Sequence, residues 1–294
     1  MRRVLILLAV LLVFAAIIVY RLSHPAPVAK SATAFDSNAM SPATQYFLGY
    51  DRNEYPGDGA LPMLRKSFAY SSYWISNPPG AKSNGWVGKR AKLRELGFGF
   101  LVLYAGPETK QLKSLRSAEE KGRADAARAA ANAKSEGFAR GTVIFLDIEE
   151  GGRLAPAYHA YLRAWFDTLK SAGFAPGVYC SGMVADEGGG VTIVTSDDIR
   201  KNEAPRDFVY WVYNDFCPPA PGCVSPQTPP APSVSGVSYA AVWQFAQSPR
   251  RKEFTSRCAT TYNKDGNCYA VDDAARQFLL DLNTAATADP SAPR

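Results

Sequence analysis

Thr142-Val-Ile-Phe-Leu-Asp-Ile-Glu149 is the stretch whose reading decides the fold. Residues 142–146 form a short β-branched and aromatic run, the mark of a buried strand. Before it, residues 114–137 give an Ala-rich helical pattern that stops at a glycine after Ser135-Glu136. After it, Pro156 and Gly173 bound an amphipathic helix with Tyr158, Leu162, Trp165, Phe166 and Leu169 on its apolar side. Gly177-Val-Tyr-Cys180 then starts another strand. A helix, a strand, a helix and a strand in this order imply parallel strands joined by helical crossovers.

The alternation extends in both directions. Upstream, residues 46–50 and 67–75 read as strands, 86–96 as a helix ending at Gly97, and 98–104 as a third strand. Downstream, 208–213, 241–245 and 269–271 read as strands, and 274–283 as a closing helix. Eight strands in the roughly 240 residues from 45 to 284 match a single (β/α)8 barrel, typically ~250 residues. An open doubly wound sheet competes, but no GxGxxG follows a strand and opens a helix. The predicted class is therefore α/β, a single-domain (β/α)8 TIM-type barrel. Within it, 218–236 reads as an exposed, PPII-like Pro-rich insertion, and 285–294 as a disordered tail.

The chain has 294 residues, 47% of them hydrophobic and 20% charged, which excludes global disorder. Its 33 Lys and Arg against 27 Asp and Glu give a charge of +6 with only 2 His. That charge is dispersed, and no basic run with interleaved aromatics argues for nucleic acid. Arg2 and Arg3 precede an unbroken apolar run over 4–20, near the ~17-residue lower limit for crossing a bilayer. Residues 1–21 are expected to be a signal anchor, with 22–44 a flexible linker and the barrel facing the periplasm or exterior. Cleavage at Ala32-Thr33-Ala34 would instead release a secreted body. Cysteine use agrees with export. Cys217 with Cys223, and Cys258 with Cys268, are expected to form two local disulfides, leaving Cys180 a buried free thiol. A zinc site would need a CxxC pair or more histidine than the chain contains. A monomer without metal or cofactor is expected.

In such a barrel the reactive end is the one at the strands' C-termini. Asp51 follows the first strand, Asp147 and Glu149 the fourth, Asn214 and Asp215 the sixth, and Asp272-Asp273 the eighth, with Gln244 in the seventh. The strand period of two places Asp147 and Glu149 on one face. There, burial and mutual repulsion would raise the pKa of one of them. One protonated and one ionised carboxyl is the equipment for cleaving a glycosidic bond. The same carboxylates could instead bond loop amides or ligate Mg²⁺ or Ca²⁺. Glu150 is expected to point the other way, into solvent. Tyr73, Trp74, Tyr104, Tyr179, Trp211, Tyr213 and Trp243 supply rings that could fill the core or stack on sugar faces. Tyr104, Tyr179, Trp211, Tyr213, Trp243 and Gln244 are the expected substrate-binding set.

Gly49-Tyr-Asp51, Phe145-Leu-Asp147-Ile-Glu149, Gly177-Val-Tyr179, Tyr210-Trp211-Val, Val242-Trp243-Gln244-Phe and Val271-Asp272 resemble, in order and spacing, glycoside hydrolase family 25, the muramidases of the Chalaropsis lysozyme type. Gly122-Arg-Ala-Asp125-Ala-Ala and Ser71-Ser-Tyr73-Trp-Ile are closer to a sister group, the glycoside-hydrolase-like barrel domains of unknown function. The resemblance covers residues 46–282. It implies Glu149 as general acid and Asp147 as the group stabilising the cationic transition state, with Asp51 and Asp272 completing an acidic cleft. It also implies a peptidoglycan-type or other N-acetylhexosamine polymer as substrate. Two positions depart from family 25: Arg52-Asn-Glu-Tyr-Pro follows the first Asp, and Asp273-Ala274 the last. A glycan-binding or envelope-assembly barrel without turnover, and a metal-dependent hydrolase, are the competing readings.

Overall fold

The computed structural model describes residues 45–214, 228–247, 278 and 280–294. Eight strands close into a barrel: β1 (Phe47–Asp51), β2 (Tyr70–Trp74), β3 (Gly99–Ala105), β4 (Val143–Asp147), β5 (Ala175–Ser181), β8 (Val209–Tyr213), β9 (Val242–Ala246) and β10 (Asp281–Ala285). Helices α1 (Leu61–Arg65), α2 (Arg90–Glu95), α3 (Leu115–Ser135) and α4 (Pro156–Ser171) serve the first four crossovers. Between β5 and β8 run a two-stranded ribbon, β6 (Val184–Gly188) with β7 (Val191–Val194), and helix α5 (Thr195–Glu203).

Local chemistry accounts for these elements. The Ser114 side chain accepts from the Ser117 amide and caps α3. Small residues line the buried face of that helix, and a β-carbon at Gly122 would lie 2.5 Å from the Tyr161 carbonyl on α4. Glycine there lets the two longest helices approach closely. Gly49 serves the barrel wall the same way, since a β-carbon would fall 2.0 Å from the Tyr70 ring. Val143 to Leu146 are all fully buried, as a strand covered on both faces requires.

The closed α/β barrel is as expected, but its closure differs. β10 runs antiparallel to both neighbours, with Phe47 opposite Ala285 and Asp51 opposite Asp281. The helix expected over 274–283 is overturned for residues 281–283, which are strand. Asp281-Leu-Asn-Thr-Ala285 is paired on both sides, and its last four residues are all buried. The strand expected at 269–271 lies outside the described residues, as do residues 1–44 and Cys217, Cys223, Cys258 and Cys268. Cys180 is a buried free thiol. Among the described residues no helix is long and apolar enough to cross a membrane.

Two further expectations are corrected. Residues 289–294 are not a loose tail, for they lie across the N-terminal ends of β3 and β4. The Phe100 amide donates to Asp289 Oδ1 at 2.9 Å, Val102 to Ser291 Oγ at 2.9 Å and Val143 to the Ser291 carbonyl at 3.0 Å. This segment satisfies backbone groups that β3 and β4, whose register starts at Val102–Ile144, leave unpaired there. Thr228, Ser233, Val234 and Gly236 are exposed as expected, but Pro232 and Ser235 are buried and the stretch is tied to the barrel. Thr284 Oγ1 donates to the Pro230 carbonyl at 2.7 Å, and Asn214 Nδ2 to the Ser235 carbonyl at 2.6 Å.

Candidate active site

A cavity of ≈ 270 Å³ opens at the C-terminal end of the barrel. Its wall carries Asp51, Glu54, Asp147, Glu149 and Asp281, with Arg52, Trp74, Tyr179 and Trp211 among the other lining residues. Asp51 and Asp147 are the last residues of β1 and β4. Asp281 reaches the same mouth for the opposite reason, being the first residue of a reversed strand.

Asp51 sits within two converging hydrogen-bond chains. Tyr179 Oη donates to Gln244 Oε1 at 2.8 Å, and Gln244 Nε2 donates to Asp51 Oδ1 at 2.9 Å. Trp211 Nε1 donates to Asn283 Oδ1 at 2.8 Å, and Asn283 Nδ2 donates to the same Asp51 oxygen at 2.6 Å. Both amides are thus oriented by a ring donor and aim their N–H at one carboxylate. Burial raises the Asp51 pKa to about 7, the amide donors oppose that rise, and the Glu149 charge adds to it.

Asp147 lacks such donors. It is 3% exposed, and its Oδ2 is buried with no hydrogen-bond partner among the described residues. Burial pushes its carboxyl well above the ordinary carboxylate range, and the charge and hydrogen bond of Glu149, then the charge of Asp51, push it further. Glu149 itself is exposed. The pair therefore joins a buried carboxyl that favours its proton to an open carboxyl two residues on. Glycine at 106 keeps this strand end accessible to its neighbour: Gly106 N donates to the Asp147 carbonyl at 3.0 Å, where a β-carbon would lie 2.3 Å from that oxygen.

The structure sorts the expected site residues. It brings Asp51, Asp147, Glu149, Tyr179 and Trp211 to one cavity. Tyr213 stands behind them, its ring 5.5 Å from that of Tyr179. Gln244 is buried as a bridge rather than open to the cleft. Tyr104 faces the helices instead, its ring 5.2 Å from Trp165 and its Oη 3.5 Å from Asp125 Oδ1. Trp243 lies on the strand face opposite Gln244, with Nε1 donating to the Asn214 carbonyl at 3.3 Å. Asn214 Nδ2 donates to the Ser235 carbonyl, while its Oδ1 is buried with no hydrogen-bond partner among the described residues. Tyr73 is also turned outward, donating to Glu136. Glu150 is half-buried rather than free in solvent: both its oxygens accept from Thr109, the amide at 2.8 Å and the hydroxyl. Asp272, with Asp215 and Asp273, lies outside the described residues.

Sequence reasoning missed Arg52, Asp281 and Asn283. Arg52 pairs with Glu54 at 2.9 Å, and its carbonyl accepts from Trp74 Nε1 at 3.1 Å. Asp281 and Asn283 were hidden by the helical reading of 274–283.

No curated protein matches this chain. Among solved structures, an uncharacterized B. stearothermophilus protein aligns with a TM-score of 0.50 and 18% identity, over 81% of this chain and 95% of that one. That likeness supports the fold. The Mycobacterium tuberculosis Tat-secreted protein Rv2525c aligns with a TM-score of 0.45 and 16% identity, over 82% and 95% of the two chains. The catalytic domain of endolysin ply40, from bacteriophage P40 of Listeria monocytogenes, aligns with a TM-score of 0.45 and 13% identity, over 82% and 93%. Residues 82–220 match a family model, the Rv2525c-like, glycoside hydrolase-like domain. The chain thus resembles the glycoside-hydrolase-like barrels, the group to which its second strand and Ala-rich helix are closer.

Proposed function

We propose that this protein is a glycoside hydrolase of the cell envelope that cleaves a peptidoglycan-type or other N-acetylhexosamine glycan by acid-assisted hydrolysis. The observation that carries the reading is the Asp147–Glu149 pair opening into one cavity with Asp51 and Asp281. Burial favours the protonated form of Asp147, and Glu149 stands exposed beside it in the cavity wall. Asp147 passes that proton to Glu149, the exposed member, which presents it to the leaving glycosidic oxygen as the C–O bond breaks. The charge then left on Asp147 faces the oxocarbenium-like centre. Water adds its hydroxyl to that carbon and returns its proton to the carboxylates. Tyr179, Trp211 and Trp74 line the cavity but are buried, so they shape its wall rather than form an open stacking platform. The glycoside hydrolase-like family model supports the reaction class, and the leader over 1–21 supports export, either anchored or secreted. No cofactor is called for by this chemistry.

One observation favours the second reading, a glycan-binding barrel without turnover. The cavity of ≈ 270 Å³ is small beside the ~300–1,000 Å³ usual for ligand sites. Release of reducing ends from purified peptidoglycan by the full chain decides between them. Hydrolysis predicts turnover that Glu149→Gln and Asp147→Asn each abolish. Binding without turnover in all three proteins would establish the second reading.

A further inference from the structure

Glu149 meets the cavity from a chain that is restrained before it and loose after it. On the near side, Ile148 is buried and its amide donates to the Tyr179 carbonyl at 2.9 Å, so the chain stays tied to β5 up to that residue. Glu150, Gly151 and Gly152 follow. Two glycines in succession leave the backbone many directions to take, and Gly152 stands at a φ of 86°. The next anchors come only then: Thr195 Oγ1 donates to the Gly152 carbonyl at 3.0 Å, and the Leu154 amide to Asp198 Oδ2 at 3.0 Å. Glu150 is the one residue between Glu149 and that pair of glycines.

Glu150 is held by the segment that follows β3. Its Oε1 accepts from the Thr109 amide at 2.8 Å and its Oε2 from the Thr109 hydroxyl. A grip on both oxygens fixes the direction of a carboxyl as well as its place. Thr109 is secured in turn. It opens the 3-10 turn Thr109–Gln111, closed by a reciprocal cap between Glu108 and Gln111. Just before it, the Pro107 carbonyl accepts from Tyr158 Oη at 3.0 Å, and Gly106 N donates to the Asp147 carbonyl at 3.0 Å. Residues 106–109 therefore grip the chain at Asp147 and again at Glu150, on either side of Glu149.

A general acid works only from a narrow range of directions, and a misplacement of ~1 Å can lower a rate about 10²-fold. We propose that Glu150 is a positioning residue: through Thr109 it fixes the direction from which the Glu149 carboxyl meets the glycosidic oxygen. It touches no reacting atom itself. The inference rests on the hydrolase reading of the mouth and adds that the two adjacent glutamates have separate tasks, one giving the proton and the other aiming it. Beyond the glycines, Arg153 bonds both oxygens of Glu187, at 3.1 and 2.7 Å. That anchor and those of Gly152 and Leu154 hold the loop to the ribbon and α5 without reaching Glu149. Loss of Glu150 should therefore loosen the acid and leave the fold intact.

The test compares steady-state hydrolysis of solubilised peptidoglycan strands by the full chain and its variants. Glu150→Ala should lower kcat about 10–10²-fold with KM within about twofold of the wild-type value. Glu150→Gln, which keeps one acceptor oxygen, should lose less. Thr109→Val should lower kcat several-fold, and Thr109→Ser, which restores the hydroxyl, should recover it. Because the two residues act through one contact, adding Thr109→Val to Glu150→Ala should cost nothing further. Glu120→Gln, on the exposed face of α3, should leave both constants unchanged. No turnover by the wild-type chain would overturn the hydrolase reading on which the inference rests. Wild-type turnover with kcat unaltered in Glu150→Ala, a loss confined to KM, or full additivity in the pair would overturn the inference alone. If Glu150→Ala fails to fold, the comparison of Thr109→Val with Thr109→Ser carries the same decision.

Discussion

Two buried carboxylate clusters in this molecule are balanced in opposite ways. Between α4 and α5, His159 is held between two acids, with Nδ1 2.9 Å from Glu203 Oε1 and Nε2 3.1 Å from Asp198 Oδ2. Arg163 adds a second cation to Glu203 at 3.2 Å, and Asn202 and the Leu154 amide complete Asp198. Both faces of the imidazole ring's N–H groups meet acceptors, so the doubly protonated ring fits best. At the mouth, Asp147 has no cation at hydrogen-bond distance among the described residues, and Asp51 has only neutral amides. The same residue type is neutralised by counter-charge in one place and by retaining its own proton in the other. The first arrangement holds a helix in position, whereas the second leaves a proton available.

The largest expected effect breaks the mouth without touching the fold. Glu149→Gln or Asp147→Asn should lower reducing-end release from peptidoglycan by about 10²–10⁴-fold, the usual scale for losing a general acid or its partner. Asp147→Asn should not lower the melting temperature, because a neutral amide replaces a carboxyl that already favours neutrality. A drop in stability comparable to the loss in rate would mean that Asp147 is structural.

Next comes the paired cluster. His159→Ala strands Asp198 and Glu203, and should cost about 3–5 kcal/mol in urea unfolding at pH 6, the range for orphaning a buried charge. Asn283→Ala is smaller: it removes one donor from Asp51 and leaves Trp211 Nε1 unpaired, costing about 1–3 kcal/mol. It should also move the Asp51 titration above its value of about 7, visible as an upward shift of one limb of the pH–rate profile.

The pH dependence of stability separates the clusters further. The folded-state pKa of His159 is raised: burial alone would lower it, but the hydrogen bonds and charges of Glu203 and Asp198 together outweigh that. Its stabilisation is therefore complete below the unfolded value of about 6.5 and is lost as pH rises through the folded one. Asp51 is raised too, so folding binds a proton between about 3.9 and about 7, and stability declines across that window. Asp51→Asn should lessen the decline in stability between pH 4 and 7, leaving the part that Asp147 contributes and the decline above pH 6.5. His159→Ala should do the reverse. The smallest effect belongs to the exposed Arg206–Asp167 pair, bonded at 2.7 and 3.0 Å. Asp167→Asn should cost no more than about 1 kcal/mol and be salt-sensitive.

The sequence made much of this legible, and where it failed the reasons are specific. A buried run ending in Asp-Ile-Glu, flanked by bounded helices, gave both the parallel wall and its reactive end. Asp51 and Gln244 were found because their strands point the same way. Tyr104 and Trp243 were misassigned because a strand's two faces differ by a single residue. Leu103 lines the cavity and Tyr104 does not, and only the register with β4 decides it. Asn283 and Asp281 were hidden because an Ala- and Leu-rich approach to a five-residue strand reads as helix when no neighbouring strand is known. The paired cluster was invisible for another reason: His159, Asp198 and Glu203 lie on two helices 39 and 44 residues apart, with no local motif to connect them.

The reversed β10 has a consequence for how the site comes into being. Asn283 and Asp51 are separated by 232 residues, so the bond between them forms only when the ring of strands is sealed. Closing so long a loop carries an entropic cost that local strand–helix units do not face. Until it is met, Asp51 has no Asn283 donor and no covering wall, and its carboxyl behaves as it would in water. The proton affinity of Asp51 is therefore a gauge of assembly: a refolding chain would show this titration migrate upward at the moment the circle is completed.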